Sequence, residues 1–170
     1  GFGALATRHI PTEMRRQLQR SLVRSHAAGS GPEVEREVVR ALMLLRISTL
    51  ATGRTGIREQ TLTTYVGMLN AGIAPVVHEY GSLGCSGDLA PLSHCALALM
   101  GEGVVRDANG DRMPAADALA AAGIEPVELE EKEGLALING TDGMLGMLCL
   151  AIHDLRDLLD GRPPTSGDPG

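Results

Sequence analysis

The sequence predicts a mainly α-helical domain with a few short hairpin strands. Three observations lead there. Aromatic residues make up only 2 % of the 170 residues, with no Trp, one Phe and two Tyr, so a core has to be assembled from Leu, Val, Ile, Ala and Met. β-Sandwiches draw instead on aromatic and β-branched side chains. Apolar residues recur at three- and four-residue intervals in successive segments separated by Gly and Pro. A chain of this length can also bury roughly two-thirds of its unfolded surface in one core.

Taken in order, Thr12 is placed to cap a helix carrying Met14, Leu18, Leu22 and His26 on one face, with Gly29 as its stop. Pro32 suits the first position of a second, long helix in which Val34, Val38, Ala41, Leu42 and Leu45 repeat until Gly53. Leu62, Tyr65, Val66 and Leu69 mark a third helix closed by Asn70 and Gly72. A glycine-rich loop follows, then a fourth helix from about Asp88 to Met100 that is apolar almost all round and therefore central. Val104 to Met113, with Asn109-Gly110 in the middle, reads as a hairpin, because Asn-Gly suits the primed turns. An Ala-rich helix spans Pro114 to Ala122 and ends at Gly123. The segment Glu133 to Ile138 leads into a turn at Asn139-Gly140-Thr141-Asp142, after which a last helix runs through Leu145, Leu148, Ile152 and Leu155 to about Leu159. One domain over 1–160 and a disordered Pro/Gly-rich tail over 161–170 are expected.

Composition excludes several functions. The formal net charge is -6, with basic residues scattered among acids, whereas nucleic-acid binding needs clustered Lys and Arg; no nucleic-acid partner is expected. No apolar run is read as approaching the roughly 20 residues that span a bilayer, so no membrane association is expected and the cytoplasm is the simplest location. Cys85, Cys95 and Cys149 form no C-x-x-C pair, and His9, His78, His94 and His153 show no ligand spacing, so neither disulfides nor a metal site is expected. The chain starts at Gly1-Phe2-Gly3 without Met, and is expected to be a piece of something longer.

The chemistry lies in the run from Gly81 to Pro91. The plainest reading is a capping loop, in which Ser86 or Asp88 caps the fourth helix. An anion nest is a second, and nucleophilic catalysis by Ser86 or Cys85 is a third, weakened because Gly-x-Ser-Gly-Asp departs from the Gly-x-Ser-x-Gly elbow. A fourth is cyclisation. The Gly87 nitrogen, unhindered by a Cβ, attacks the Cys85 carbonyl carbon; water leaves, Ser86 then loses its hydroxyl as a second water, and an exocyclic methylene results. His26, by itself, could be a favourable partner for a helix C-terminus, and Asn139 merely a turn residue.

These stretches together resemble the histidine and aromatic amino-acid ammonia-lyase family. The resemblance is carried, in family order, by Gly1-Phe2-Gly3, Ser25-His26-Ala27-Ala28-Gly29, Leu69-Asn70-Ala71-Gly72, Gly81 to Pro91, Gly101-Glu102-Gly103 and Lys132-Glu133-Gly134-Leu135-Ala136-Leu137-Ile138-Asn139-Gly140-Thr141. It implies the N-terminal, electrophile-bearing domain of the ammonia-lyase fold, with most of that fold's central helical bundle missing. It implies a 4-methylideneimidazol-5-one (MIO) electrophile formed from Cys85-Ser86-Gly87, with Asp88 supporting cyclisation and no metal. His26 and Asn139 are implied to bind substrate. Ser25-His26 looks like the pair in histidine-specific members, so elimination of ammonia from L-histidine to trans-urocanate is the implied reaction. Family alternatives are an aromatic amino-acid ammonia-lyase and an aminomutase; outside the family, a Ser or Cys hydrolase and an inactive helical piece remain open. The family's catalytic base and carboxylate-binding groups fall outside these residues, and its active sites are shared between subunits of a homotetramer. These 170 residues alone are therefore expected to be inactive.

Overall fold

The computed structural model describes residues 1–83 and 87–161. Gly84, Cys85 and Ser86 of the expected electrophile loop, and the expected tail from 162 onward, lie outside the described residues. Seven α-helices and two small antiparallel sheets account for the regular structure described: α1 Arg15–His26, β1 Ser30–Glu33, α2 Arg36–Ala51, α3 Glu59–Asn70, β2 Ala74–Pro75, β3 His78–Tyr80, α4 Leu89–Leu99, β4 Val104–Arg106, β5 Arg112–Pro114, α5 Ala115–Ala121, α6 Glu133–Ile138 and α7 Asp142–Leu159. The mainly α expectation holds.

Helix α4 is central, as its all-round apolar sequence requires. It packs against α1, α3, α5, α6 and α7 and buries Leu92, Cys95, Ala96, Ala98 and Leu99. Truncating a fully buried leucine such as Leu92 or Leu99 to alanine costs about 2–5 kcal/mol through lost transfer energy and the cavity left behind. The 104–113 hairpin forms, but not through a primed turn: Gly110 is at φ 92° while Asn109 has no positive φ, and the Gly110 N–H instead closes a turn onto the Asp107 carbonyl at 3.1 Å; β2 pairs with β4 to make a three-stranded sheet in the order β2-β4-β5.

Two further local expectations are corrected. Pro32 does not open the second helix. It lies in β1, which pairs antiparallel with β3 through Ser30 opposite Tyr80 and Glu33 opposite His78, and α2 starts at Arg36. A two-stranded ribbon has only edge strands, where the missing proline N–H leaves no ladder bond unmade. Gly31, at φ 85°, lets the Tyr80 ring lie where a Cβ would meet it at 2.5 Å. The first helix is also shifted: Thr12 opens a 3-10 turn, Thr12–Met14, and makes no capping bond. The face that α1 buries carries Gln19 and Val23, while Met14 is exposed.

The membrane expectation needs amending too. The stretch 133–159 is long and apolar enough to cross a bilayer by length and composition. Its apolar residues serve the protein core instead at α6, which is buried almost throughout. In α7 the buried positions are instead Asp142, Gly143, Gly146 and Asp157, and the helix packs on α2 where Gly146 lets the two approach until a Cβ would stand 3.1 Å from the Leu42 nitrogen and 3.2 Å from the Val38 carbonyl. The other face of α7 exposes Leu148, Ile152, Leu155 and Leu159.

Candidate active site

The loop bearing the expected electrophile leaves β3 and enters α4. Its described ends are drawn together, the Leu83 N–H donating to the Gly87 carbonyl at 3.4 Å. Just before it, Gly81 lies where a Cβ would stand 3.0 Å from the Ala90 Cβ and 3.4 Å from the Gly29 Cα. The chain leaving α1 after His26 therefore passes against both the loop entry and the first turn of α4. The Gly29 N–H donates to His94 Nε2 at 3.2 Å, and the His78 ring meets that of His94 edge-on at 5.7 Å. Burial, helped by the nearby His78, pushes the His94 pKa down, which keeps Nε2 unprotonated as this acceptor. The histidines that show no ligand spacing thus include two, His78 and His94, that hold the loop entry.

His26 is half-buried at the end of α1. Its Nδ1 lies 2.9 Å from the Leu22 carbonyl and 3.0 Å from Ser25 Oγ, and Ser25 Oγ donates to the same carbonyl at 2.8 Å. A carbonyl oxygen only accepts, so Nδ1 carries a proton, and in that tautomer of the imidazole Nε2 is the lone-pair acceptor. Ser25 thus has a role legible in the sequence pair: it helps orient the ring.

Asp88 is buried and stands at the N-cap position of α4, yet its side chain makes no capping bond there. One carboxylate oxygen accepts the Ser82 hydroxyl, and the other accepts the Met144 N–H at 2.9 Å. Asp88 therefore caps α7, 56 residues on, and corrects the expectation of a local cap. Thr141, the residue at the N-cap position of α7, supplies no side-chain bond, so the helix start depends on this remote carboxylate. Gly143 makes room for it, since a Cβ there would stand 3.2 Å from Asp88 Oδ2.

Asn139 precedes the same helix start. Its side chain is exposed and makes no hydrogen bond among the described residues, while its backbone is held from the interior by Arg46 of α2. Arg46 is only 3 % exposed. Its Nη1 and Nη2 donate to the Asn139 carbonyl, both at 3.1 Å; Nη1 also donates to the Ala136 carbonyl at 3.1 Å. Nε and Nη2 reach Asp142 Oδ2 at 3.0 and 2.6 Å. Burial pushes the Asp142 carboxyl up, with the Asp88 charge adding to the shift and Arg46 opposing it. One chain of contacts thus runs from the loop exit at Asp88 through the start of α7 to Arg46 and the Asn139 turn.

Sequence reasoning missed Arg46, Asp142, Ser82 and Gly143. Arg46 left a signal: positions 39, 42, 43, 46, 47 and 50 are the buried face of α2, and 46 alone is charged. Cys85 and Ser86 lie outside the described residues, and Gly87 is described at the loop exit. No group of three or more His, Cys, Asp or Glu that could hold a metal occurs among the described residues.

Among the described residues, the ends of a glycine-rich loop and the turn that opens α7 meet at the start of one central helix, beside the chain that leaves α1. The chain belongs to the aromatic amino acid lyase family, whose model matches residues 1–162. Over 158 residues it is 70 % identical to the histidine ammonia-lyase of Streptomyces griseus, covering 93 % of this chain and 31 % of that protein. Among solved structures, histidine ammonia-lyase from Trypanosoma cruzi superposes with a TM-score of 0.84 at 37 % identity, over 90 % of this chain and 30 % of that one. Pantoea agglomerans phenylalanine aminomutase gives a TM-score of 0.89, also at 37 % identity, over 95 % and 31 %. The chain spans about a third of the length of the curated relatives it matches.

Proposed function

We propose that this chain is the electrophile-bearing part of a histidine ammonia-lyase, which eliminates ammonia from L-histidine to give trans-urocanate. The observation that carries the reading is the pair of hydrogen bonds that Asp88 accepts, from the Ser82 hydroxyl at the loop entry and from the Met144 N–H at the start of α7. It ties both ends of the expected triad to the helix that follows Asn139.

The residues present fit an MIO group. The described loop ends are held together by the bond from Leu83 to Gly87, Gly87 offers its nitrogen without a Cβ, and the Cys85 side chain is not consumed because only its carbonyl reacts. Asp88 supports cyclisation by bracing the loop. An MIO supplies an electrophile that takes up electron density from the substrate amine, making ammonia a better leaving group. The start of α4 adds partial positive charge beside it. His26 contributes a lone pair at Nε2, suited to an imidazole N–H and of no use to a phenyl ring. Asn139 contributes an unengaged amide. Removal of the β-proton and binding of the substrate carboxylate are assigned to the part of the relatives' length that this chain does not span. Assembly as a cytoplasmic homotetramer belongs to the same proposal, supported by the exposed apolar face of α7.

The test uses a chimera in which this chain replaces the matching segment of the Streptomyces griseus enzyme. Intact mass should fall short of the sequence by two waters, and L-histidine should yield urocanate and free ammonia. An unmodified loop with no turnover would refute the reading; a hydrolase would also keep its Ser86 intact. A second reading, an aromatic aminomutase, is favoured by the TM-score of 0.89 to the phenylalanine aminomutase. It would be recognised by a β-amino acid formed from phenylalanine or tyrosine with ammonia retained.

A further inference from the structure

Of the six residues that α2 buries, Arg46 alone is charged, and no step assigned above needs a charge at that depth. A buried ion pair is a weak source of net stability, since desolvation offsets most of the attraction. What the guanidinium does hold is specific. All its bonds go to residues 136–142, and two of them converge on the carbonyl of Asn139. The Asn139 side chain has no hydrogen bond of its own among the described residues, so within this chain what directs it is the course of its Cα–Cβ bond, set by the backbone at φ -95° and ψ 104°. The peptide oxygen that fixes this backbone is the one Arg46 grips.

We infer that Arg46 is a positioning residue for the lyase reaction. By holding the Asn139 carbonyl it aims the Asn139 amide at the substrate, and Asp142 holds the guanidinium in register. This rests on the functional reading above. Gly140 fits the role, because a Cβ there would stand 1.9 Å from Arg46 Nη2 and 2.4 Å from Asp142 Oδ2. Gly140 is absent from the glycines with left-handed φ, so it serves to clear a path for the guanidinium and not to make an unusual turn. Lysine could not replace the arginine, since a point charge with three donors cannot span two carbonyls and a carboxylate in this planar arrangement.

The test is a double-mutant cycle in the chimeric enzyme, with Arg46→Lys crossed against Asn139→Ala. Arg46→Lys should keep the two-water mass deficit yet lower kcat on L-histidine about 10- to 100-fold, the loss expected from misplacing a substrate-side group by about 1 Å. The double variant should be no more than about twofold slower than Asn139→Ala alone, because Arg46 acts through Asn139. Multiplicative losses would overturn the inference, as would a wild-type rate for Arg46→Lys or disappearance of the mass deficit. If Arg46→Lys does not fold, Asp142→Asn goes through the same cycle under the same criteria. Failure of both to fold would assign Arg46 to stability and overturn the inference. An inactive wild-type chimera would instead count against the functional reading itself.

Discussion

Gly140→Ala isolates the buried guanidinium without touching a charge. The added Cβ would lie 1.9 Å from Arg46 Nη2, whereas ordinary contact begins at 3.4 Å, so Nη2 has to withdraw by 3.4 - 1.9, about 1.5 Å. That takes it out of hydrogen-bond range of both Asp142 Oδ2, now at 2.6 Å, and the Asn139 carbonyl, at 3.1 Å. Two charge-assisted bonds at about 1.5–3 kcal/mol each give a loss of about 3–6 kcal/mol, which overlaps the usual cost of breaking a buried pair, about 3–5 kcal/mol. The gain from replacing glycine in the unfolded chain, about 0.4–1 kcal/mol, does not offset it. For a domain of this size the melting temperature should fall by about 6–24 °C. Urea unfolding followed by circular dichroism measures the difference, with Gly53→Ala as control. Gly53 has open space around it but φ 71°, so its cost is backbone strain alone, about 1–2 kcal/mol. A Gly140→Ala protein within about 1 kcal/mol of wild type would show that no guanidinium occupies that space.

Asp88→Ala should destabilise the start of α7 by about 1–2 kcal/mol, the usual value of a helix cap, and speed hydrogen exchange at the Met144 amide. Unchanged exchange there would refute the remote cap. Glu133 accepts from the Arg58 backbone and guanidinium, the Thr61 hydroxyl and the Glu130 N–H. Burial alone would push its carboxyl up, but these donors outweigh it and hold the pKa below the ordinary 4.5. A depressed carboxylate adds stability that is complete above the unfolded value and is lost as pH falls through the folded one. Stability should therefore drop below about pH 4.5 in wild type, and that component of the drop should be absent in Glu133→Gln, itself less stable by about 2–4 kcal/mol at neutral pH. Parallel acid titration curves for the two proteins would refute this. Burial pushes the Cys95 thiol up to about 12, while Cys149 is exposed. A thiol reagent at neutral pH should label Cys149 rapidly and Cys95 only on unfolding, as peptide mapping would reveal. Cys85→Ala should leave cyclisation intact, since only the carbonyl of that residue is used, and should make the chimera less sensitive to thiol reagents. Equal sensitivity would assign inactivation to another group.

The elements legible in the sequence were those whose signals are local. Asn109-Gly110 marked the place of its hairpin, though Gly110 alone of the two takes the positive φ that a primed turn would need at both. The apolar run from Leu89 to Leu99 announced a central helix because no exposed helix lacks a polar face. Pro32 misled because its fixed φ suits both a first helical turn and an edge strand, and only the partner strand 47 residues away, where His78 Nδ1 bonds the Gly31 carbonyl, chooses between them. The inward face of α1 was misread for a related reason. Gln19 is polar, and its burial follows from the Gly134 N–H, which donates to its Oε1 at 3.1 Å.

The same division holds at the site. Cys85-Ser86-Gly87, His26 and Asn139 were singled out by the family resemblance that the surrounding motifs carry, since each taken alone also allows a capping, helix-end or turn reading. The ties that turn separate motifs into one site could not be read this way. Asp88 sits one residue before a helix and looks like its cap, and only the approach of α7 shows that its carboxylate serves another helix. Arg46 looks like an interruption in an apolar face until a carboxylate 96 residues later neutralises it. A buried charge is tolerable only where partners from distant segments meet it, so the sequence by itself determined the motifs that carry the family resemblance, and only the tertiary structure decided which charges hold the segments bearing them in place.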